Sequence, residues 1–276
     1  PPFNRDSYCH DGPMARTIAD LALLENVIAG KHPIDPVSLP HPPHLDATVT
    51  DVRGMRIAWA PTIGDFPVEP KIAEATAGIA ATLADLGASV EQVEIPITRA
   101  DIMTAGLIHY NMIMGPSCAM LDPGTPGAFE PYIYEFLRRC AEGGAKASAF
   151  AGLELEAHIM GTINALLTQY DAIILPTMAC YGLKADDDHV DTIVTVNGQE
   201  LDFYFEAMLT VLFNIMSRCP VVNVPSGIGP NGVPMGVQIA GPTYDEAVPF
   251  RIAAALEASR GWWTTPQWRP DMVKEL

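Results

Sequence analysis

The sequence predicts one α/β domain over residues 1–276, a mixed β-sheet core flanked by helices. Three observations predict it. MRIAWA (55–60) and SVEQVEI (89–95) bracket a helical stripe, and a crossover of that length implies parallel strands of right-handed connection. DAIILP (171–176) is an apolar run of strand length. PVVNVP and MGVQIAG flank the Gly/Pro-rich SGIGPNGVP and read as two strands joined by a loop. Strands interleaved with helices share one layered core, and no internal repeat or long linker separates a second domain.

Taken in order, Thr17-Ile-Ala-Asp20 has the spacing of a capping box, in which each side chain satisfies a free N–H at a helix start. Ile18, Leu21, Leu24 and Ile28 then recur at helical spacing up to Gly30. KHPIDPVSLPHPPHLD reads as irregular surface chain, because its prolines remove donors and fix φ. After the first strand, Pro70 suits a first helical turn, and Ile72, Ala75, Ile79, Leu83 and Leu86 form a stripe ending at Gly87. Residues 98–170 are mostly helical, with interruptions expected at MGPSCAMLDPGTPGAFEP and AEGGAKAS. Asn197-Gly198 in VTVNGQEL signals a hairpin. Helices are expected over 203–214 and 245–259, before an aromatic tail with Trp262, Trp263 and Trp268.

Composition narrows the function classes. The net charge of −17 would repel a phosphate backbone, so nucleic acid is not an expected partner. No apolar run has the length of a membrane span, and PPFNRDSYC lacks the regions of a signal peptide, so a cytoplasmic protein is expected. Cys9, Cys118, Cys140, Cys180 and Cys219 are odd in number and scattered, which fits free thiols rather than a disulfide framework or a zinc site.

Several pairs invite a chemical reading. Lys146 and Ser148 in GGAKAS would make a base and nucleophile if the lysine were neutral; a flexible helix connection with a solvated lysine is the plainer expectation. Glu154 and His158 are spaced like two metal ligands on a helix, but no third ligand accompanies them. DDDH (186–189) reads as a hydrated loop, and the Ser-Gly of VPSGIG as a turn. No GxSxG elbow, GxGxxG, P-loop or HExxH occurs. Neither a cofactor nor a metal is called for.

Gly12-Pro13-Met14-Ala15-Arg16-Thr17-Ile18-Ala19-Asp20 resembles the amidase signature family, whose members carry a GPMAR-(T/S)-x-x-D segment before an apolar helix. LADLGASVEQVEIP, DAIILPT, FNIMSRCPVVNVPSG and GVPMGVQIAGPTYDEA are similar to further blocks of that family, in the family's order. Two positions depart from it: Cys9 stands where the family has an aspartate, and Ser217-Arg218-Cys219 fills a stretch where the family has a small glycine.

The resemblance implies an α/β/α fold and an amide hydrolase that works by a serine nucleophile, a bridging serine on a cis peptide bond and a lysine base. In the family these lie upstream of GPMAR, so the chain is expected to be the C-terminal part of a single amidase-signature domain, inactive alone, with no catalytic residue of its own. Thr177, Phe213, Asn214 and Cys219 are the expected substrate-pocket residues, together with the 177–182 loop. Gly12, Pro13, Arg16 and Asp20 are expected to be structural, Arg16 as a buried charge partner and Asp20 as a helix cap. Expected partners are a small amide substrate, the missing N-terminal segment or a complementary chain, and a second copy of the chain. The glutaminase components of amidotransferases share the signature, so a glutaminase portion is an alternative, as is a non-catalytic binding module.

Overall fold

The structure, a computed structural model, describes residues 6–35, 37–122, 124–125 and 127–262. Trp263 and Trp268 of the aromatic tail lie outside them, whereas Trp262 is buried.

Helix α1 (Ile18–Ile28) starts at Thr17, whose hydroxyl accepts the Asp20 N–H at 3.1 Å. The reciprocal half of the expected capping box does not form. The Asp20 carboxylate instead accepts from the Thr17 hydroxyl at 2.9 Å, and a different first-turn donor, the Ile18 N–H, finds a tertiary partner in Glu257 at 3.0 Å.

The βαβ unit is present as β1 (Arg56–Trp59), α2 (Pro70–Asp85) and β2 (Ser89–Gln92), with β1 and β2 parallel. Pro70 opens α2, where its missing N–H leaves nothing unsatisfied. Gly87 turns the chain at φ +96°, and a Cβ there would lie 2.7 Å from the Arg53 Cγ.

Four helices follow: α3 (Arg99–Met112), α4 (Met114–Leu121), α5 (Pro131–Lys146) and α6 (Ala149–Leu167). A complete capping box between Thr98 and Asp101 opens α3. The interruption expected in AEGGAKAS falls at its end, on Ala147-Ser148 between α5 and α6, whereas both glycines are helical. The reason is tertiary. A Cβ on Gly143 would lie 2.9 Å from Leu107 Cβ, one on Gly144 2.1 Å from Asn111 Nδ2, and one on Gly152 2.6 Å from Ile108 Cγ2. Glycine lets α5 and α6 approach α3 closely, and packing outweighs its poor helix propensity.

Strand β3 (Ala172–Pro176) pairs parallel to β1. A two-stranded hairpin, β4 (Thr195–Val196) and β5 (Gln199–Glu200), turns on Asn197 and Gly198 with φ +47° and +76°, the double positive φ of a tight hairpin turn. The helix expected over 203–214 is instead a 3-10 turn (Tyr204–Ala207) followed by α7 (Val211–Met216). Between them the backbone bonds elsewhere: Ala179 N–H donates to Ala207 O at 2.8 Å and Leu209 N–H to Thr177 O at 3.2 Å. β6 (Val221–Ile228), β7 (Pro234–Ala240) and α8 (Ala247–Arg260) complete the chain.

The main sheet has the order β2-β1-β3-β7-β6, with β7 antiparallel to both neighbours, so it is mixed. Side chains alternate across it. Ile173 and Leu175 face the layer built by α3, α5, α6 and α7, whereas Ala172 and Ile174 face α1, α8 and the end of α2. No helix among the described residues is long and apolar enough to cross a membrane.

Candidate functional site

The signature segment divides sharply. Residues 6–10 are tied into the helical layer, and Asp6 and Tyr8 are buried. His109, from the last turn of α3, lies between Asp6 Oδ1 (Nε2, 2.8 Å) and Glu156 Oε1 of α6 (Nδ1, 3.1 Å). The Tyr8 ring stacks on the imidazole, with centroids 3.5 Å apart and planes 7° from parallel, and its hydroxyl donates to Glu156 at 2.7 Å. A neutral imidazole donates through one nitrogen; facing a carboxylate with both requires the imidazolium.

The electrostatics agree with the geometry. Burial opposes charge on His109, but the Glu156 and Asp6 carboxylates outweigh it and hold its pKa above the ordinary histidine value. Burial also opposes ionised Asp6, yet its bonds to His109, the Tyr8 N–H and Cys9 keep its pKa below the ordinary one. Cys9 is pushed the other way, up to about 11, by burial and by its contact with Asp6 at 3.3 Å, so its thiol is a poor nucleophile.

The same stretch is fastened to the end of α7. Asn214 Nδ2 donates to Tyr8 O and Ser217 Oγ to Ser7 O, each at 2.9 Å, and Arg218 Nη1 lies 3.0 Å from His10 Nε2. Ser217 has φ +55° and ψ −59°, and the Arg218 N–H bonds back to Met216 O at 2.6 Å, a tight and strained three-residue turn. This strained residue stands in the stretch where the resembled family has a small glycine.

Beyond residue 10 the contacts stop. Asp11, Gly12, Met14, Ala15 and Arg16 are exposed, Met14 to 95%. A Cβ on Gly12 would meet nothing within 4 Å. Arg16 is therefore not the buried charge partner expected, because no element of the described chain covers it. Asp20 lies in the first turn of α1, where Thr17 is the capping side chain and the Asp20 carboxylate accepts the Thr17 hydroxyl rather than a backbone N–H.

The four expected pocket residues are spread out. Thr177 follows β3 and its hydroxyl bonds Asn223 of β6; Phe213 is buried in α7; Asn214 holds Tyr8; Cys219 is buried with its thiol 3.9 Å from the Thr243 hydroxyl. A cavity of about 120 Å³ beside Glu25, Asn26 and Pro43, and an open groove of about 480 Å³ beside Phe129, Tyr134 and Arg138, include none of the four.

The remaining candidates have structural roles. The Ser148 hydroxyl accepts the Ala151 N–H at 3.2 Å and caps α6, while Lys146 ends α5. Glu154 and His158 are exposed, and the residue between them that matters is buried Glu156. In DDDH, Asp187 and Asp188 accept backbone N–H groups of His189 and Val190 at 3.0 Å. Ser226 is not in a turn but within β6, beside a bulge. Among the described residues no three His, Cys, Asp or Glu side chains gather to hold a metal ion.

Sequence reasoning missed Asp6, His109 and Glu156. The signal was present: His109 falls on the stripe of Ile102 and Ala105, and Glu156 on that of Gly152, Ile159 and Ile163. A titratable residue on a buried stripe requires a partner, but periodicity does not name it.

The sequence model of the family described as Amidase matches residues 5–114 and 132–248. The chain belongs to the amidase signature family. It is 27% identical over 270 residues to an acylamidase of Rhodococcus erythropolis, an alignment covering 93% of this chain and 53% of that protein. It is 31% identical over 290 residues to the A component of the glutamyl-tRNA(Gln) amidotransferase of Chloroflexus aurantiacus, covering 95% and 56%. Among solved structures, a bacterial aryl acylamidase of the family superposes with a TM-score of 0.79 at 25% identity, over 94% of this chain and 55% of that one. The chain thus spans about half the length of the family members it matches. The mixed sheet between helical layers is the family's fold.

Proposed function

We propose that this chain is the scaffold and pocket-wall portion of an amide hydrolase that acts on a small carboxamide by serine acyl transfer, with the serine–serine–lysine machinery supplied by polypeptide outside these 276 residues. The observation that carries this is the bare signature: Gly12, Met14, Ala15 and Arg16 match the family yet are exposed, while Asp6 and Tyr8 shortly before them are buried. Leu23, Val27 and Ile28 of α1, the helix that follows the signature, are exposed as well. Large apolar side chains exposed together on one element suit an interaction surface. The likeness over about half of each relative's length gives that surface an occupant, the rest of the family's domain. Ser148, engaged as a helix cap, is not poised as a nucleophile.

In this reading catalysis needs both parts, since a positioned nucleophile and oxyanion donors supply many orders of magnitude that a pocket wall does not. Thr177 and the 177–182 loop, with Phe213, Asn214 and Cys219, would then line the substrate side once the domain is whole. The purified chain should hydrolyse no aryl amide or primary carboxamide above background, and adding the remaining half of the domain, in trans or by fusion, should restore turnover. Turnover by the chain alone, lost in Lys146→Ala or Ser148→Ala, would overturn the proposal.

The 31% identity to the A component of the amidotransferase favours one second reading, a glutaminase portion that works within a larger complex. Glutamine hydrolysis that appears only with co-purifying proteins would select it over the free hydrolase.

A further inference from the structure

We infer that Asp6, His109 and Glu156 form a charge-dependent latch that positions the start of the signature segment against α3 and α6, closed while His109 is an imidazolium. The inference concerns the chain's own residues and stands whether or not the catalytic reading above survives.

The latch joins three elements far apart in sequence. Asp6 is on the N-terminal segment, His109 on α3 and Glu156 on α6, and all three are buried. Tyr8 and Cys9 face the cluster from the segment, Tyr110 from α3, and Asn214 from α7 through the Tyr8 carbonyl; Cys140 of α5 lies behind Tyr110. The cluster therefore holds two carboxylates and one cation. The surplus negative charge is met by the Tyr8 hydroxyl on Glu156 and by the Tyr8 N–H and Cys9 thiol on Asp6.

Loss of the His109 proton removes a donor and turns a nitrogen lone pair towards a carboxylate. Two buried carboxylates then share one N–H, an arrangement a water-poor site penalises. The two sides differ in what holds them. Glu156 is fixed in the nineteen-residue helix α6, whereas Asp6 belongs to a segment tied by isolated side-chain bonds. The segment is the side that yields, and the largely exposed residues 11–16 that follow it move with it.

The pH window follows from the two shifts. The folded pKa of His109 lies above 6.5, so its contribution is complete below 6.5 and is lost as pH rises through the folded value. The folded pKa of Asp6 lies below 3.8, so its contribution is complete above 3.8 and is lost as pH falls through its folded value. The latch is closed between these limits and opens on the alkaline side.

The test uses the full chain and needs no ligand. Histidine ring-nitrogen NMR, with His109 assigned by its contact with the Tyr8 ring, should show both nitrogens protonated below pH 6.5 and a midpoint above 6.5. Amide exchange at residues 7–10, corrected for its intrinsic pH dependence, should accelerate about tenfold or more through that midpoint, while α8 stays protected. Glu156→Gln should lower the midpoint by about one unit or more. His109→Gln should leave exchange at residues 7–10 fast at every pH. A midpoint at or below 6.5, or exchange at residues 7–10 that ignores the titration, would overturn the latch. The wild-type titration decides the matter even if a variant fails to fold.

Discussion

Two glycine-bearing stretches invite comparison. GPMAR, at residues 12–16, is the most recognisable motif in the chain, and its glycine has no neighbour within 4 Å of a built Cβ. AEGGAKAS, whose glycines have nothing of a motif about them, sits where three helices cross, with built Cβ atoms at Gly143 and Gly144 2.9 and 2.1 Å from α3. Recognisability and packing run in opposite directions here. A motif shared across a family need not report contacts made within the chain that carries it. A glycine that admits a neighbouring helix reports contacts inside it, and reads in sequence only as a weak helix former.

Substitutions sharpen that contrast, and the largest effect belongs to the helix crossing. His109→Ala leaves two buried carboxylates without their cation and should cost about 4 kcal/mol at pH 7, measured by urea denaturation. A loss below about 1 kcal/mol would mean that the cluster is not desolvated as the structure has it.

Gly152→Ala should cost about 2 kcal/mol. The new methyl meets Ile108 Cγ2 at 2.6 Å, and a β-branched side chain in a helix has little rotamer freedom with which to retreat. Gly12→Ala should stay within about 0.5 kcal/mol, because nothing is there to meet. Equal denaturation midpoints for the two variants would break the comparison. Adding the rest of the domain should separate them again, by making Gly12→Ala costly for association.

An effect between those two lies at the junction between the signature and α1. Thr17→Ala removes the side chain that accepts the Asp20 N–H and should cost about 1 kcal/mol. An unchanged thermal midpoint would show that the Glu257 carboxylate on Ile18 N–H caps the helix by itself.

Much of the layered fold could be read from residue patterns. The βαβ unit, the Asn197-Gly198 hairpin and the last two strands are stated by periodicity and turn residues, and they stand where expected. The continuous helix over 203–214 failed because the backbone of residues 207–209 bonds across to 177–179, a demand that no local pattern expresses. The candidate site was less accessible. Asn214 and Ser217 fall in blocks that resemble the family, yet their observed role is to hold the carbonyls of Tyr8 and Ser7, over 200 residues away.

Local residue order settled the periods, caps and turns of this protein, because those depend on dihedral preferences and on neighbours within a turn or two. Tertiary structure alone decided that His109 faces Glu156 across 47 residues and Asp6 across 103, and that Glu257 serves the start of α1 across 239. Such pairings depend on the crossing of helices whose separation is set by which residues lack a side chain. Burial then makes each pairing obligatory, since a charge removed from water must find its partner wherever in the chain that partner lies.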